Sequence, residues 1–509
     1  MKIDLILRLR KKIGLTCKKN KKDQYALIIG RNRIFHSTYL LFSSLALNKE
    51  KKINQYFLNE RHLSKSENDL FINFGIEPKK YFQSLKFFQI ITILFKSVFS
   101  FIKGSHMIIT NDFEKFVKSF KVAEINIGDL VFDSYLRYNH RFVNPKFDIY
   151  LMYYLFLGVY KTLLIDKFFD KERLKYLIIS GHSYANTNGI STRVALKKKI
   201  TVIFSSFKEL NFFTYEKIDK GRHYINNTST LRAMKKIPYS EKKFLTFCKL
   251  RKKSKSDSFT TKRDLLLAYG NKKKFSREQF CKKIKIDINE YKKIVVFAPH
   301  AFSDAAHSLG RIFIFSDYFS HFKQTLNHIK KVEDILWIVR PHPSSYIYGE
   351  KGIVENYVKE INCHNIKICP EKINTDNLVD ITDGVVTGRG KIALEFASFG
   401  KPALIAGKCS FSDLGFLCEP KNKKEYMKFL EKFEKIKPLK KNKIKIARKA
   451  SMYLEKYNEN YVFKNQLIPY FKHKKPEDVI AEINKNLNKK YNFLKSNYFI
   501  SISSRIKNL

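Results

Sequence analysis

The chain has 509 residues, of which 44% are hydrophobic and 15% aromatic, enough to fill two domain cores and to exclude wholesale disorder. Its 98 Lys and Arg against 47 Asp and Glu give a net charge of +51, so its surface must attract polyanions such as nucleic acid, acidic lipid headgroups or a phosphorylated substrate. A composition bias toward Lys, Asn, Ile and Phe is the alternative explanation of this charge. The seven cysteines have no paired spacing, which indicates a reducing compartment and argues against a metal site.

The first residues form a basic tail whose short apolar run is interrupted by Arg8 and Arg10, so no secretory signal is predicted and the expected location is the cytoplasm. The most hydrophobic segment, "FQSLKFFQIITILFKSVFSFIKG" from Phe82, contains Lys86 and Lys96 and is too short an uninterrupted apolar run to span a bilayer. It predicts a buried core helix. The alternative is an interfacial helix that attaches the protein peripherally to the anionic inner face of the cell membrane.

Four short apolar runs in the first half are typical of buried parallel strands: "YALIIG", "HMIIT", "KYLIIS" and "KITVIF". The stretch "RNRIFHSTYLLFSSLAL" after the first run predicts a helix. Strands that alternate with helices indicate a doubly wound α/β sheet. This pattern is lost between residues 208 and 290, where the sequence becomes charged and irregular, and a domain boundary is therefore expected there.

The alternation restarts at Lys292 with "KIVVFAPH", "DILWIVRPHP", "NIKICP", "DGVVTG" and "KPALIAG", which predict five strands of a second α/β sheet. Beyond Lys437 the chain is Lys-rich and has the pattern of helices. The predicted domains are a tail, two α/β domains and a helical extension, at 1–22, 23–285, 286–436 and 437–509.

Polar residues follow three strands of the second sheet, and the carboxyl ends of parallel strands are where such sheets bind ligands. "HAFSDAAH" offers His300 and Asp304, either of which is a candidate general base, although Asp304 could instead cap a helix. "RPHPSSY" offers Arg340, His342 and Ser344, with the imidazole held between two prolines and suited to a phosphate oxygen. The alternative for His342 is a turn residue that caps the next helix.

The third junction, "DGVVTGRGKIALEFASFGKPALIAG", offers Thr387, Gly388, Gly390 and Glu395 at the start of a helix, where backbone N–H groups favour phosphate. Ordinary tight turns also use glycines. The stretch is not a P-loop, and Ala393 occupies the third glycine position of a dinucleotide fingerprint. Glu395 is predicted to border an apolar stripe of Ile392, Phe396 and Phe399.

These three junctions, in this order, resemble the carboxyl-terminal half of bacterial capsule and surface polysaccharide biosynthesis proteins with the two-domain GT-B glycosyltransferase fold. The segment "SGHSYANTNGISTRVALKKKITVIF" resembles the strand, polar loop and helix of that family's first domain. The resemblance implies two Rossmann-like domains that face a cleft, with the helical carboxyl-terminal extension added. The segments cover about a third of the chain.

The resemblance implies transfer of a sugar from a nucleotide-sugar donor to a glycan or lipid-linked acceptor, with no cofactor and no metal ion. The second domain would hold the donor: Arg340, His342 and Ser344 at its phosphate, Thr387, Gly388 and Gly390 at phosphate or base, and Glu395 at a ribose hydroxyl. A proline-flanked histidine is also found in transferases of the Kdo and sialic-acid type, which favours a CMP-linked acidic sugar. The first domain would hold the acceptor through His182, Tyr184, Asn186 and Arg193.

Two alternatives stay open at this point. The first is another enzyme of the same fold, a polyol-phosphate transferase or a nucleotide-sugar epimerase. The second is a non-enzymatic protein that binds polyanions. Nucleic acid is not the expected partner, because the sequence contains no recognisable nucleic-acid motif and no localised aromatic platform.

Overall fold

The computed structural model divides the chain into two compact units. The first comprises Met1–Ser134, Lys146–Asn226 and Glu459–Leu509, and the second comprises Tyr135–Pro145 and Asn227–Asn458. Within these units the structure describes residues 24–30, 34–58, 65–110, 113–139, 148–181, 183–185, 188–206, 210–215, 218–219, 224–225, 234, 237–252, 274–308, 313–370, 373–457 and 497–509.

The first unit is built on a six-stranded sheet in the order β3-β2-β1-β6-β7-β8. All neighbouring strands are parallel except the β7–β8 pair. The strands of this sheet are β1 (Tyr25–Ile29), β2 (Asn54–Leu58), β3 (Glu77–Lys79), β6 (Leu174–Ile179), β7 (Thr201–Ser205) and β8 (Leu210–Phe213). Two-residue ladders add β4 (Lys121–Val122) with β5 (Ile125–Asn126), and β9 (Ile218–Asp219) with β10 (Tyr224–Ile225).

The helices described in the first unit are α1 (Ile34–Lys51), α2 (Lys65–Asn73), α3 (Tyr81–Ser84), α4 (Phe87–Ile109), α5 (Phe113–Ser119), α6 (Gly128–Asn139, whose residues from Tyr135 on are assigned to the second unit), α7 (Ile149–Lys171) and α8 (Gly189–Lys197). The helix predicted after β1 is confirmed as α1. The predicted strand "HMIIT" is wrong, because these residues complete the last turns of α4. A short β-branched run inside a long helix has the same local pattern as a strand.

The second unit contains a five-stranded, fully parallel sheet in the order β13-β12-β11-β14-β15. Its strands are β11 (Lys293–Ala298), β12 (Ile335–Val339), β13 (Ile366–Ile368), β14 (Gly384–Thr387) and β15 (Ala403–Ile405). All five strands predicted from the sequence are confirmed. Alternate residues along β11 enter two different cores, with Ile294 and Val296 in one and Val295 and Phe297 in the other. Both faces of this sheet are therefore covered, as in a doubly wound fold.

Helices of the second unit that the structure describes are α9 (Glu241–Lys252), α10 (Arg277–Lys283), α11 (Tyr318–Ile329), α12 (Ile353–Ile361), α13 (Thr375–Ile381), α14 (Ile392–Ser398), α15 (Lys423–Glu431) and α16 (Lys441–Met452). Short 3₁₀ turns cover Ile288–Glu290, Ser345–Tyr348 and Phe433–Lys435, and a π-helical turn covers Tyr453–Tyr457. α16 supplies Ala447, Ala450 and Met452 to the core of this unit. The start of the predicted Lys-rich extension is therefore part of the second unit's packing.

The last described helix, α17 (Asn497–Lys507), belongs to the first unit. Its Phe499, Ile502 and Ile506 are buried in the same core as strands β1 and β6. The first unit thus contains both the first and the last of the described elements. Two α/β units built on mainly parallel sheets, together with a helical carboxyl-terminal segment, confirm the predicted fold class of two doubly wound α/β domains.

Among the helices that the structure describes, α4 and α7 are long and apolar enough by length and composition to cross a membrane, with 17% and 50% of their most apolar windows buried. The sequence predicted that the segment containing α4 is a buried core helix. That prediction is wrong, because most of the large apolar side chains of α4 are exposed to solvent.

Candidate functional site at the strand ends of the second unit

The site lies where the order of the second sheet reverses. β11 has β12 on one side and β14 on the other, so the chain leaves β11 in one direction and later returns to its opposite side. Such a switch point opens a crevice at the carboxyl ends of the strands, where doubly wound proteins bind their ligands. The loops that follow β11, β12 and β14 are the three junctions singled out in the sequence.

The loop after β11 places His300 against the first residue of α11. The rings of His300 and Tyr318 are stacked, with centroids 4.4 Å apart and planes 13° apart. Nδ1 of His300 lies 4.0 Å from Oδ2 of Asp304, and both side chains are partly exposed. Asp317, not Asp304, caps α11, since its carboxylate accepts from the N–H of Ser320 at 2.5 Å. The helix-cap alternative for Asp304 is therefore wrong.

The buried carboxylate of Glu350 holds the loop after β11 in place. Glu350 accepts hydrogen bonds from the backbone N–H groups of Phe302 and Ser303, at 2.8 and 2.7 Å, and from the Ser303 hydroxyl at 2.9 Å. Burial raises the pKa of Glu350, and these three donors act in the opposite direction. Glu350 thereby holds the backbone between His300 and Asp304. Sequence analysis missed it, since nothing local marks it as a partner of a loop 47 residues away.

The loop after β12 carries a buried positive charge. Arg340 continues the sheet, with its N–H donating to the carbonyl of Phe297 at 2.8 Å. Its guanidinium donates through Nη1 to Oγ1 of Thr375, at 2.9 Å. That partner is a neutral hydroxyl at the start of α13, so the bond leaves the arginine's charge uncompensated. A guanidinium in this setting favours a phosphate or carboxylate ligand.

His342 follows Arg340 by two residues and has a defined orientation. Its Nδ1 accepts from the N–H of Ser344 at 3.2 Å, which in the neutral ring leaves the proton on Nε2. The ring centroids of His342 and His300 are 5.5 Å apart. The predicted residues of the first and second junctions therefore lie side by side. Ser344 is buried beneath them and precedes the 3₁₀ turn that begins at Ser345.

The loop after β14 completes the group. Thr387 is the buried last residue of the strand, and a Cβ built at Gly388 would lie 3.3 Å from the ring of Tyr318. Tyr318 therefore contacts both His300 and the third junction. A Cβ at Gly390 would lie 2.9 Å from Oγ1 of Thr387, too close for any other residue without a shift of that hydroxyl. Both glycines allow close packing of this loop.

Sequence analysis missed Arg389, which stands between the two glycines. It is buried, donates from Nη1 to the carbonyl of Ala306 at 2.5 Å and lies over the ring of Phe313, with Cζ 5.2 Å from the centroid. Arg389 thus links the first and third junctions. A charged residue between two glycines directly after a buried strand was the signal that could have identified it.

Glu395 lies about one turn into α14 and is half-buried beside the buried Leu394 and Phe396. It therefore borders the core, as predicted. Phe399 does not belong to the predicted stripe: it ends the helix, is 39% exposed and lies near Phe244 of α9, with ring centroids 5.9 Å apart and planes tilted by 56°. A ligand contact of Glu395 stays a prediction.

In the first unit, the loop after β6 was predicted to hold an acceptor. His182 and Asn186 lie outside the described residues. Tyr184 is partly exposed and has a left-handed backbone with φ of 69°, and its carbonyl accepts from the N–H of Gly189 at 3.2 Å. This loop also follows a strand at a switch point, since β6 lies beside β1.

Arg193 is buried and forms an ion pair within the first unit. Its Nη1 and Nη2 donate to the two carboxylate oxygens of Asp129, both at 2.6 Å, and Nη1 also donates to the carbonyl of Asn126. Both side chains are buried. The expectation that Arg193 faces an acceptor is corrected accordingly: its charge is neutralised within the domain by α6, a helix that local sequence does not connect to it.

No protein-family model matches the chain, and no curated protein matches it. Among solved structures, KpsC from Thermosulfurimonas dismutans, a beta-Kdo 2,4 transferase, is 14% identical over 55% of this chain and 80% of its own, with a TM-score of 0.32. The UDP-GlcNAc 2-epimerase from Neisseria meningitidis, bound to UDP-GlcNAc, is 12% identical over 85% and 98%, with a TM-score of 0.25. The UDP-GlcNAc 2-epimerase from Methanocaldococcus jannaschii is 13% identical over 91% and 100%, with a TM-score of 0.19. Because these identities and TM-scores are low, we base the function on the residues of the site.

Proposed function

We propose that the protein is a glycosyltransferase of the GT-B type that moves a sugar from a nucleotide-sugar donor to a surface polysaccharide or lipid-linked acceptor. The observation that carries this proposal is the meeting of a buried arginine, two adjacent imidazoles and a carboxylate at the switch point of one parallel sheet. Cationic and hydrogen-bonding groups of this kind suit a leaving phosphate, and a carboxylate beside them suits removal of a proton from an acceptor.

In this scheme Arg340 and His342 bind the donor phosphate. The guanidinium is permanently charged, and the Nε2–H of His342 is a directed donor because Nδ1 accepts from Ser344. Thr387, Gly388 and Gly390 line the same loop cluster, and Glu395 accepts from a ribose hydroxyl. The donor that we favour is a CMP-linked acidic sugar, which the basic surface would also attract.

Asp304 acts as the general base. The acceptor hydroxyl attacks the anomeric carbon, its proton passes to the Asp304 carboxylate, and the nucleotide leaves with the electron pair of the broken sugar–phosphate bond. Arg340 and the imidazoles of His300 and His342 stabilise the negative charge that develops on that phosphate. These groups supply the role that a divalent cation has in other transferases, so we expect activity to persist in EDTA.

The first experiment tests donor binding. We expect one of CMP, CDP, UDP and GDP to raise the melting temperature of the full chain, because a ligand that binds only the folded state stabilises it. Glu395→Ala should abolish this shift. Glu360→Ala, which removes an exposed glutamate on α12, is the matched control and should keep it. If all four nucleotides leave the melting temperature unchanged and duplex DNA raises it, the polyanion-binding alternative replaces the proposal.

The second experiment tests the chemistry. Asp304→Asn should reduce sugar transfer roughly 10²–10⁴-fold, as expected for loss of a general base, while the nucleotide-induced thermal shift is retained. The measurement is product formation from the stabilising nucleotide sugar, with and without EDTA. Conversion of UDP-GlcNAc into its epimer in the absence of any acceptor would assign an epimerase instead.

A further inference from the structure

α4 has two opposite faces with different environments. Its buried residues recur at spacings of four and seven: Ile93, Ser97, Gly104 and Ile108. Large apolar side chains on the opposite side are exposed, with exposed fractions of 80% for Phe88, 66% for Phe95, 73% for Phe99 and 58% for Ile102. At about 100° per residue these four lie around the direction opposite the buried stripe. Isolated exposed apolar residues are common on soluble proteins, but on α4 they form a continuous stripe, which is typical of an interaction surface.

The buried face of α4 packs on α7. A Cβ at Gly104 would lie 2.9 Å from Leu155, so the glycine lets the two helices approach closely. The hydroxyl of Ser105 contacts Sδ of Met152 at 3.4 Å, and the rings of Phe101 and Phe156 lie 5.9 Å apart. The contacts with α7 therefore fix the orientation of α4 and keep its opposite face directed to solvent.

α7 extends the apolar surface. Ile149, Tyr153 and Phe156 follow one side of its first two turns and are 73%, 59% and 40% exposed. Phe156 contacts Phe101 of α4, so the exposed side chains of the two helices are neighbours. We call the exposed apolar residues of both helices the α4–α7 face. Its members are Phe87, Phe88, Leu94, Phe95, Val98, Phe99, Ile102 and Ile109 of α4, with Ile149, Tyr150, Tyr153 and Phe156 of α7.

The charges of α4 are all positive. The 23 residues of the helix contain no Asp or Glu, and its two lysines, Lys96 and Lys103, are exposed. On the helix they lie about 80° from the centre of the apolar stripe, on one flank. Lys86 precedes the first turn and is also exposed. Aromatic and aliphatic side chains bordered by lysines match the boundary between acyl chains and anionic headgroups.

We propose that the α4–α7 face is a membrane-docking surface that lies in the plane of a bilayer containing anionic lipid. A spanning orientation does not fit, because Lys96 and Lys103 would enter the hydrocarbon and the buried stripe of α4 is already packed on α7. The proposed occupant is lipid, because the exposed stripe from Phe88 to Ile102 carries large apolar side chains over about four turns and is bordered by lysines. This proposal goes beyond the proposed function and does not depend on the donor site.

The test uses co-sedimentation of the full chain with vesicles of phosphatidylcholine, with and without phosphatidylglycerol. We expect binding to the anionic vesicles. The triple variant Phe88→Ser, Phe95→Ser, Phe99→Ser should bind at least roughly tenfold more weakly, since three exposed rings no longer enter the bilayer. The matched control is Ile72→Ser, Leu245→Ser, Ile500→Ser, which changes three exposed apolar residues on other helices and should bind as the unchanged protein does.

A second variant tests the charges. Lys96→Gln, Lys103→Gln should weaken binding to anionic vesicles roughly tenfold and leave binding to phosphatidylcholine unchanged. Far-UV circular dichroism of each variant verifies the fold. Because no nucleotide is involved, failure here is distinct from failure of the transferase.

Two outcomes overturn the proposal. Undiminished binding by the triple serine variant would mean that the net charge of +51 alone attracts the vesicles. Absence of vesicle binding, with a dimer in light scattering that the triple variant dissociates, would assign the face to a second copy of the chain.

Discussion

Arg193 in the first unit and Arg340 in the second show how the same buried side chain takes two different roles. Both are nearly inaccessible to solvent, with exposed fractions of 3% and 8%. Arg193 is paired in two-pronged fashion with the Asp129 carboxylate, whereas Arg340 donates to the neutral hydroxyl of Thr375. The first charge is cancelled inside the domain, whereas no ion pair of Arg340 with a carboxylate is found among the described residues. Burial of an arginine therefore says little about function until the charge of its partner is known.

The largest effect on folding stability is expected when the buried Arg193–Asp129 ion pair is broken. Arg193→Met leaves the Asp129 carboxylate buried without a counter-charge, and such changes cost about 3–5 kcal/mol of folding free energy. Urea unfolding of the full chain, followed by far-UV circular dichroism, measures this loss. The double variant Arg193→Met, Asp129→Leu should recover most of it, because neither charge then remains. A loss below about 1 kcal/mol for the single variant would show that the pair is solvated and that Arg193 is available to a ligand after all.

Arg340→Met should give the opposite result, with a small loss of stability and a large loss of binding. Its hydrogen bond to Thr375 contributes about 1 kcal/mol to folding. Loss of a charge-assisted contact to phosphate should weaken the affinity for the stabilising nucleotide by roughly tenfold to a hundredfold. Isothermal titration with that nucleotide measures the affinity, and Arg340→Lys should restore only part of it since lysine lacks the planar fork. Unchanged affinity in Arg340→Met would remove this residue from the proposed site.

The histidines of the second unit also differ in their surroundings. His300 and His342 lie at the strand ends, but His321 is completely buried and its Nε2 lies 2.9 Å from the hydroxyl of Tyr426. Burial lowers the pKa of His321 from 6.5 to about 3. Below pH 6.5 the unfolded chain binds a proton at this ring, whereas the folded chain does not until the pH approaches 3. The free energy of unfolding is therefore highest above pH 6.5 with respect to this group, and it decreases as the pH falls from 6.5 toward 3. The expected slope is about 1.4 kcal/mol per pH unit within that window.

This slope can be measured in the second unit because the chain has one tryptophan, Trp337, buried in β12. Urea unfolding followed by its fluorescence should become easier as the pH falls from 6.5 to 4.5. His321→Phe should remove much of this dependence, whatever its effect at neutral pH. An identical pH dependence in the variant would mean that carboxylates, not His321, control acid unfolding.

Sequence reasoning predicted the second sheet well because each of its five strands is a short apolar run bounded by polar residues. It missed β2 and β3, since "NQYFL" contains the buried polar Gln55 and β3 is only three residues long. The junctions were predictable for a topological reason: parallel strands bring their carboxyl ends to one edge. Tyr318 and Glu350, which hold the junctions together, were not predictable, because they acquire their partners only through tertiary packing. For the same reason Arg193 was misassigned, as Asp129 is 64 residues away in the chain.

The smallest expected effect concerns Glu350, which is buried and whose carboxylate is bonded to Phe302 and Ser303. Glu350→Gln keeps one oxygen to accept from the loop but replaces the other by an NH₂ group, which cannot accept from Phe302 or Ser303. We expect a loss of about 1 kcal/mol in folding and a fall of roughly tenfold in kcat, with KM for the donor nearly unchanged, since Arg340 and His342 stay in place. Steady-state kinetics of sugar transfer separate the two constants. An equal rise in KM would mean that Glu350 supports donor binding and that the loop between His300 and Asp304 contacts the donor as well as the acceptor.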